Sequence, residues 1–156
     1  MAHEHKYTLT LSWTGNTGEG TKTYKSYARN FDVTADGKPV IAGSADPNYL
    51  GDATRWNPEE LLVAALSGCH KLWFLHLCAM AKIVVTDYVD NPDGRLNAES
   101  DGSGEFTSVT LKPTVTLADA AQAEKADTLH AKAHHMCFIA RSVNFPVTVD
   151  ANYVGG

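Results

Sequence analysis

NPEELLVAALSGCHKLWFLHLCAMA, residues 57–81, is the stretch on which the fold turns. Asn57 is a good N-cap and Pro58 suits the first helical position. Glu59 and Glu60 complement the positive end of the helix dipole, so a helix is predicted from here to about Ala81. Its apolar residues run nearly all the way round, which one sheet cannot cover, and a partner subunit is implied. The apolar run from Leu61 to Val85 has the length of a membrane span. His70, Lys71, His76 and Lys82 interrupt it and Gly68 weakens it, so a buried core helix is the better reading and no membrane partner is expected.

On the N-terminal side, Tyr7, Leu9, Leu11 and Trp13 alternate with polar residues, the period of a half-buried strand over Lys6–Trp13. GNTGEG (15–20) marks a turn, and its glycines lack the spacing of a dinucleotide cradle. A second strand is predicted through Lys22–Val33, a tight turn at ADGKP (35–39), and a surface loop over residues 43–56. On the C-terminal side, Ile83–Val89, Arg95–Ser100 and Phe106–Leu117 read as strands separated by NPDG (91–94) and DGSG (101–104), an antiparallel meander. Asp119 can cap a second helix through roughly Ala120–Ala140, and Asn144–Tyr153 closes as a strand. No internal repeat or low-complexity segment interrupts this order. Strands, helix, strands, helix, strand define an α+β fold class, read as a single domain over residues 1–156.

The 156 residues carry 13 Lys and Arg against 18 Asp and Glu, a formal charge of 13 − 18 = −5. No basic block could neutralise a row of phosphates, so nucleic acid is not an expected partner. The N-terminus lacks the pattern of a secretory signal and the cysteines number 3. Both point to the reducing cytoplasm rather than to a disulfide scaffold.

Cys78 lies nine positions beyond Cys69 and so faces the opposite side of the helix, at 100° per residue. Cys69 shares its face with Leu62, Ala65, Leu66, Trp73 and His76. Cys78 reads as core filler. On the second predicted helix, His130, His134 and Cys137 fall at i, i+4 and i+7 on one stripe. That stripe suits two chemistries. One is a tetrahedral metal site completed by Cys69 or His76. The other is redox, with Cys69 forming a sulfenic acid that Cys137 resolves as a disulfide. The plain alternative for the histidines is solvated or core-edge side chains.

The segment WNPEELLVAALSGCHKLWFLHLCAMA (56–81), followed by AHHMCFIARSVNFPVTV (133–149), resembles the OsmC/Ohr family, named for osmotically inducible protein C and organic hydroperoxide resistance protein. The resemblance spans nearly the whole chain in element order. Its most specific part is the N-P-E-E-L run with a cysteine ten residues past Glu59. It implies an OsmC-like fold of antiparallel sheets with two central helices in an intertwined homodimer. It also implies a thiol-dependent peroxidase that reduces organic hydroperoxides with a dithiol, lipoyl-type reductant and needs no metal or flavin cofactor. By the family's motifs Cys69 matches the peroxidatic cysteine, Cys137 the resolving cysteine and Glu59 the motif glutamate.

The family also uses an arginine. Ohr-type members carry it in the turn after the first strand, where this chain has Asn16, Thr17, Gly18 and Glu19. Arg29 is the nearest substitute, with Arg55 and Arg141 behind it. A cation is needed because burial raises a thiol pKa and the helix dipole fades beyond the first turn, whereas arginine stays charged when desolvated. A second departure is Cys137-Phe138, where Ohr-type members have Cys-Pro. Glu59 lies roughly 15 Å along the helix axis from Cys69, so Glu59 or Arg29 in each site is expected from the other subunit. Leu62, Leu66, Trp73 and Met136 are expected to form an apolar wall that favours alkyl or lipid hydroperoxides over hydrogen peroxide. Two rivals remain. One is a non-catalytic dimer binding metal through Cys69, His130, His134 and Cys137; the other is a dimer whose two thiols form a redox switch.

Overall fold

The computed structural model describes residues 3–155. The chain forms two compact units, one ending at Leu61 and one beginning at Leu62.

In the first unit, β1 (Thr10–Trp13), β2 (Phe31–Thr34) and β3 (Ile41–Gly43) form an antiparallel sheet in that order, with Leu11 opposite Val33 and Phe31 opposite Gly43. The strand predicted over Lys22–Val33 shortens to β2. Residues 22–26 satisfy their backbone locally: the Thr23 N–H donates to Ser26 Oγ at 3.0 Å, and the Ser26 hydroxyl reaches the Gly20 carbonyl at 2.9 Å. Serine side chains that bond nearby backbone compete with a ladder in this way. The tight turn is present: Gly37 takes φ +69°, and the Lys38 N–H donates to Ala35 O at 3.2 Å. The expected loop over 43–56 contains the end of β3 and a short 3₁₀ turn at Pro47–Tyr49, capped by Asp46.

Helix α1 (Pro58–Met80) starts and stops within a residue of expectation. Its start is a reciprocal box. The Glu60 N–H donates to Asn57 Oδ1 at 2.8 Å, and the Asn57 N–H donates to a Glu60 carboxylate oxygen at 3.1 Å.

The second unit holds two sheets rather than one meander. The strands β4 (Val85–Asp90), β5 (Asp93–Ala98), β6 (Gly104–Leu111), β7 (Pro113–Leu117), β8 (Val147–Val149) and β9 (Asn152–Gly155) sort into the orders β4-β7-β9 and β5-β6-β8. β4 with β7 and β5 with β6 are antiparallel. β6 with β8 and β7 with β9 are parallel, so both sheets are mixed. The runs read as single strands over 106–117 and 144–153 each change sheet midway, and NPDG is a crossing between sheets instead of a hairpin turn. Asp90 ties this level together, accepting from the Lys112 N–H at 2.7 Å and from the Ser67 hydroxyl of α1. Pro113 suits the crossing, where no ladder donor is required.

The buried stripe of α1 is Leu66, His70, Phe74, Leu77 and Cys78. Leu66 packs with Val109 and Leu111, whereas Phe74, Leu77 and Cys78 pack with Val115, Leu117, Ala126 and Ala133, so one helix serves both sheets. By length and composition α1 could cross a membrane, yet this stripe lies in the core of the unit. Leu72 and Met80, off the stripe, are exposed. Gly94 lets β5 approach α1: a Cβ there would sit 2.8 Å from Val63 Cγ2.

The second predicted helix is broken into a 3₁₀ turn, α2 (Ala123–Asp127), α3 (Leu129–Met136) and a last 3₁₀ turn at Ala140–Ser142. Asp119 caps the start as expected, accepting from the Ala121 N–H at 3.0 Å. Thr128 bonds back to the Lys125 carbonyl at 2.7 Å and divides α2 from α3. The architecture is α+β, with a mixed rather than purely antiparallel pairing.

Candidate active site

Cys69 lies midway along α1, at the margin of the buried stripe, and is the only one of the three cysteines that is partly exposed. Cys137 is wholly buried and sits one residue past the end of α3 with an extended ψ of 111°. Both are free thiols, and Cys69 lies near enough to Cys137 to bear on its titration. Burial, and after it the Cys69 thiol, push the Cys137 thiol up to about 11. The Ala140 N–H, 3.4 Å from Cys137 Sγ, and the Ile139 N–H act in the opposite sense. Cys137 therefore keeps its proton at neutral pH, and the accessible sulfur of the pair is Cys69.

Cys78 is 1% exposed, and burial alone raises its thiol to about 11. It packs in the core, as expected of a buried cysteine.

His130 and His134 keep their helical spacing on α3, and Cys137 caps its end, where the chain turns to an extended path. His130 is drawn inward: its Nδ1 lies 2.8 Å from Nε2 of His70, and its ring stacks on Phe74 at 4.0 Å. Among the described residues, no group of three or more His, Cys, Asp or Glu side chains is arranged to hold a metal ion. The ligand set Cys69, His130, His134 and Cys137 thus loses a donor to the histidine pair. That pair had no signature in the sequence, since its members stand 60 residues apart.

The expected apolar wall is revised as well. Leu66 is 0% exposed and belongs to the core cluster with Val109 and Leu111 of β6. Trp73, one turn past Cys69, meets Phe138 edge-on at 6.0 Å and His76 at 5.8 Å. Phe138, directly after Cys137, is exposed and joins the aromatic rim of the thiol pair. The departure from Cys-Pro was the available signal for it.

The charged candidates are held as follows. Arg29, in the first unit, donates to the carbonyls of Tyr27 and Tyr24 at 2.5 and 2.6 Å, and its guanidinium lies over both rings at 4.1 and 4.4 Å. Arg55 donates to Gly43 O and Phe31 O, both at 3.0 Å, and pairs with Asp32. Glu59 is exposed in the first turn of α1, where Glu60, not Glu59, closes the capping box. Arg141 is exposed in the 3₁₀ turn after Cys137, and its backbone N–H donates to the Cys137 carbonyl at 3.1 Å.

An α+β chain with a partly exposed thiol on a long core helix and a buried thiol at the end of a shorter one defines a class of two-cysteine protein. The family model for OsmC-like protein matches residues 51–152, and the chain belongs to that family. A comparison with curated proteins returns no match. Among solved structures, an OsmC-like protein of unknown function from Vibrio cholerae is 32% identical, with a TM-score of 0.84 over 95% of this chain and 99% of that one. An organic hydroperoxide resistance protein OsmC from Legionella pneumophila is 22% identical, with a TM-score of 0.67 over 96% and 98% of the two chains. One from Elizabethkingia anophelis is 18% identical, with a TM-score of 0.65 over 99% and 100%. The last two likenesses are of fold.

Proposed function

We propose that this OsmC-like protein is a thiol peroxidase that reduces organic hydroperoxides to alcohols. The observation that carries this reading is the facing pair of free thiols, one accessible and one buried. The Cys69 thiolate attacks the distal peroxide oxygen. An S–O bond forms, the O–O bond breaks, and the alkoxide leaves with a proton as the alcohol. The Cys137 sulfur then attacks the resulting sulfenic acid, and its proton leaves with the hydroxyl as water, closing the disulfide. A dithiol of the lipoyl type restores both thiols and becomes a disulfide itself.

The charged partners in this scheme are Arg29 and Glu59. Glu59 stands about 15 Å along α1 from Cys69 and therefore serves the thiol of a second copy. A homodimer also covers the apolar residues that α1 leaves exposed, Leu72 at 66% and Met80 at 73%. The fold likeness to proteins named for organic hydroperoxide resistance supports the same substrate class.

The deciding experiment follows cumene hydroperoxide consumption with dihydrolipoamide as reductant. Cys69→Ser abolishes consumption, and Cys137→Ser consumes one equivalent and stops. Full steady-state turnover in either variant overturns the reading.

A further inference from the structure

We infer that His70 and His130 are positioning residues, a cross-helix clamp that holds Cys137 in register with Cys69. The inference rests on the proposed reading only in taking the two thiols as a disulfide pair. His70 follows Cys69 on α1, and His130 stands on α3 seven residues before Cys137, which caps the end of that helix. Their facing nitrogens are 2.8 Å apart and both residues are buried, at 1% and 6% exposure. Among the described residues this is the one side-chain hydrogen bond that joins α1 to α3.

α1 grips the His130 ring twice. His70 meets it at the edge, the two rings lying 11° from coplanar, and Phe74, one turn further on, stacks flat against its face at an interplanar angle of 5°. An edge contact and a face contact together fix both the position and the tilt of an aromatic ring. Apolar packing alone leaves a helix freer to rotate and slide, whereas a buried hydrogen bond has one satisfying geometry. The other nitrogen of His130, Nε2, is buried without a partner. A lone pair there is less costly than an unmet N–H, which favours the tautomer in which His130 Nδ1–H donates to His70 Nε2. His130 could have pointed outward with Lys132 and His135 of α3. Instead it is desolvated to make this one contact beside a pair of cysteines that must meet.

The test measures the equilibrium between the Cys69–Cys137 disulfide and a glutathione redox buffer on the full chain, by alkylating free thiols and mapping them by mass. In the disulfide each sulfur has lost one electron to glutathione disulfide, which is reduced to two glutathione thiols. His70→Leu removes the hydrogen bond at similar volume and is expected to lower the equilibrium constant for disulfide formation about tenfold, with native circular dichroism. His70→Gln, whose amide can supply a partner for His130 Nδ1, is expected to stay within about threefold of the wild type. Should His70→Leu fail to fold, the double variant His70→Leu/His130→Phe, which removes both imidazoles and strands neither, is expected to show the same tenfold loss. A wild-type constant in the folded leucine variant or in the double variant overturns the clamp, as does a loss that His70→Gln does not restore. Because no peroxide is used, an inactive wild type would sink the peroxidase and leave this measurement to stand on its own.

Discussion

Cys137 is buried beside a Cys69 that solvent can reach, and burial first and the neighbouring thiol second keep the Cys137 proton in place up to about pH 11. The asymmetry assigns an order of events. A peroxide or an alkylating agent meets Cys69, and Cys137 reacts only with what Cys69 has become.

Alkylation therefore discriminates among the three cysteines. Iodoacetamide on the reduced native protein at mildly basic pH is expected to modify Cys69 well before Cys137 or Cys78, whose thiols are both raised to about 11. Peptide mapping over a time course reads the order, and early labelling of Cys137 contradicts it.

Cys78→Ala tests the packing role of the third thiol. Removing one buried sulfur from among Phe74, Leu77 and Ile83 is expected to cost about 1 kcal/mol in urea unfolding. Peroxide turnover should match the wild type, and a large fall in turnover at unchanged stability would give Cys78 a chemical part.

Acid should weaken the fold through the histidine pair. Burial comes first in holding both His70 and His130 down at about 4. His130 and His134 add to it at His70, while Asp127 and Asp90 oppose it at His130. A histidine whose folded pKa is depressed stabilises the fold fully above its unfolded value near 6.5 and loses that contribution as pH falls from there towards 4. The loss is on the order of 3 kcal/mol for each histidine. Urea midpoints between pH 7 and pH 4 measure it, and the double variant His70→Leu/His130→Phe is expected to flatten that part of the profile.

Phe138 should bear on substrate choice. Phe138→Ala removes the exposed ring that meets Trp73 edge-on, and kcat/KM for cumene hydroperoxide is expected to fall about 3-fold to 10-fold. Hydrogen peroxide, which has no group to place against a ring, should be reduced at an unchanged rate; equal losses for both peroxides would remove Phe138 from the site.

Gly94→Ala probes the seam between α1 and β5. The added methyl would stand 2.8 Å from Val63 Cγ2 and 3.1 Å from the Phe106 ring. A destabilisation of about 1–3 kcal/mol is expected in thermal or urea unfolding.

What the sequence determined by itself was local. Asn57, Pro58 and Glu60 set the start of α1 because capping is settled within one turn, and helical periodicity alone put Cys69 and Cys78 on different faces. Tertiary structure decided whatever depended on partners far along the chain. The strand runs 106–117 and 144–153 carry no mark of the sheet changes at Lys112 and between Val149 and Asn152, because pairing belongs to two segments at once. Helical spacing placed His130 and Cys137 on one stripe, but Cys137 left the helix at its last turn. His130 turned to His70, 60 residues away, because a buried imidazole needs a partner wherever the fold supplies one.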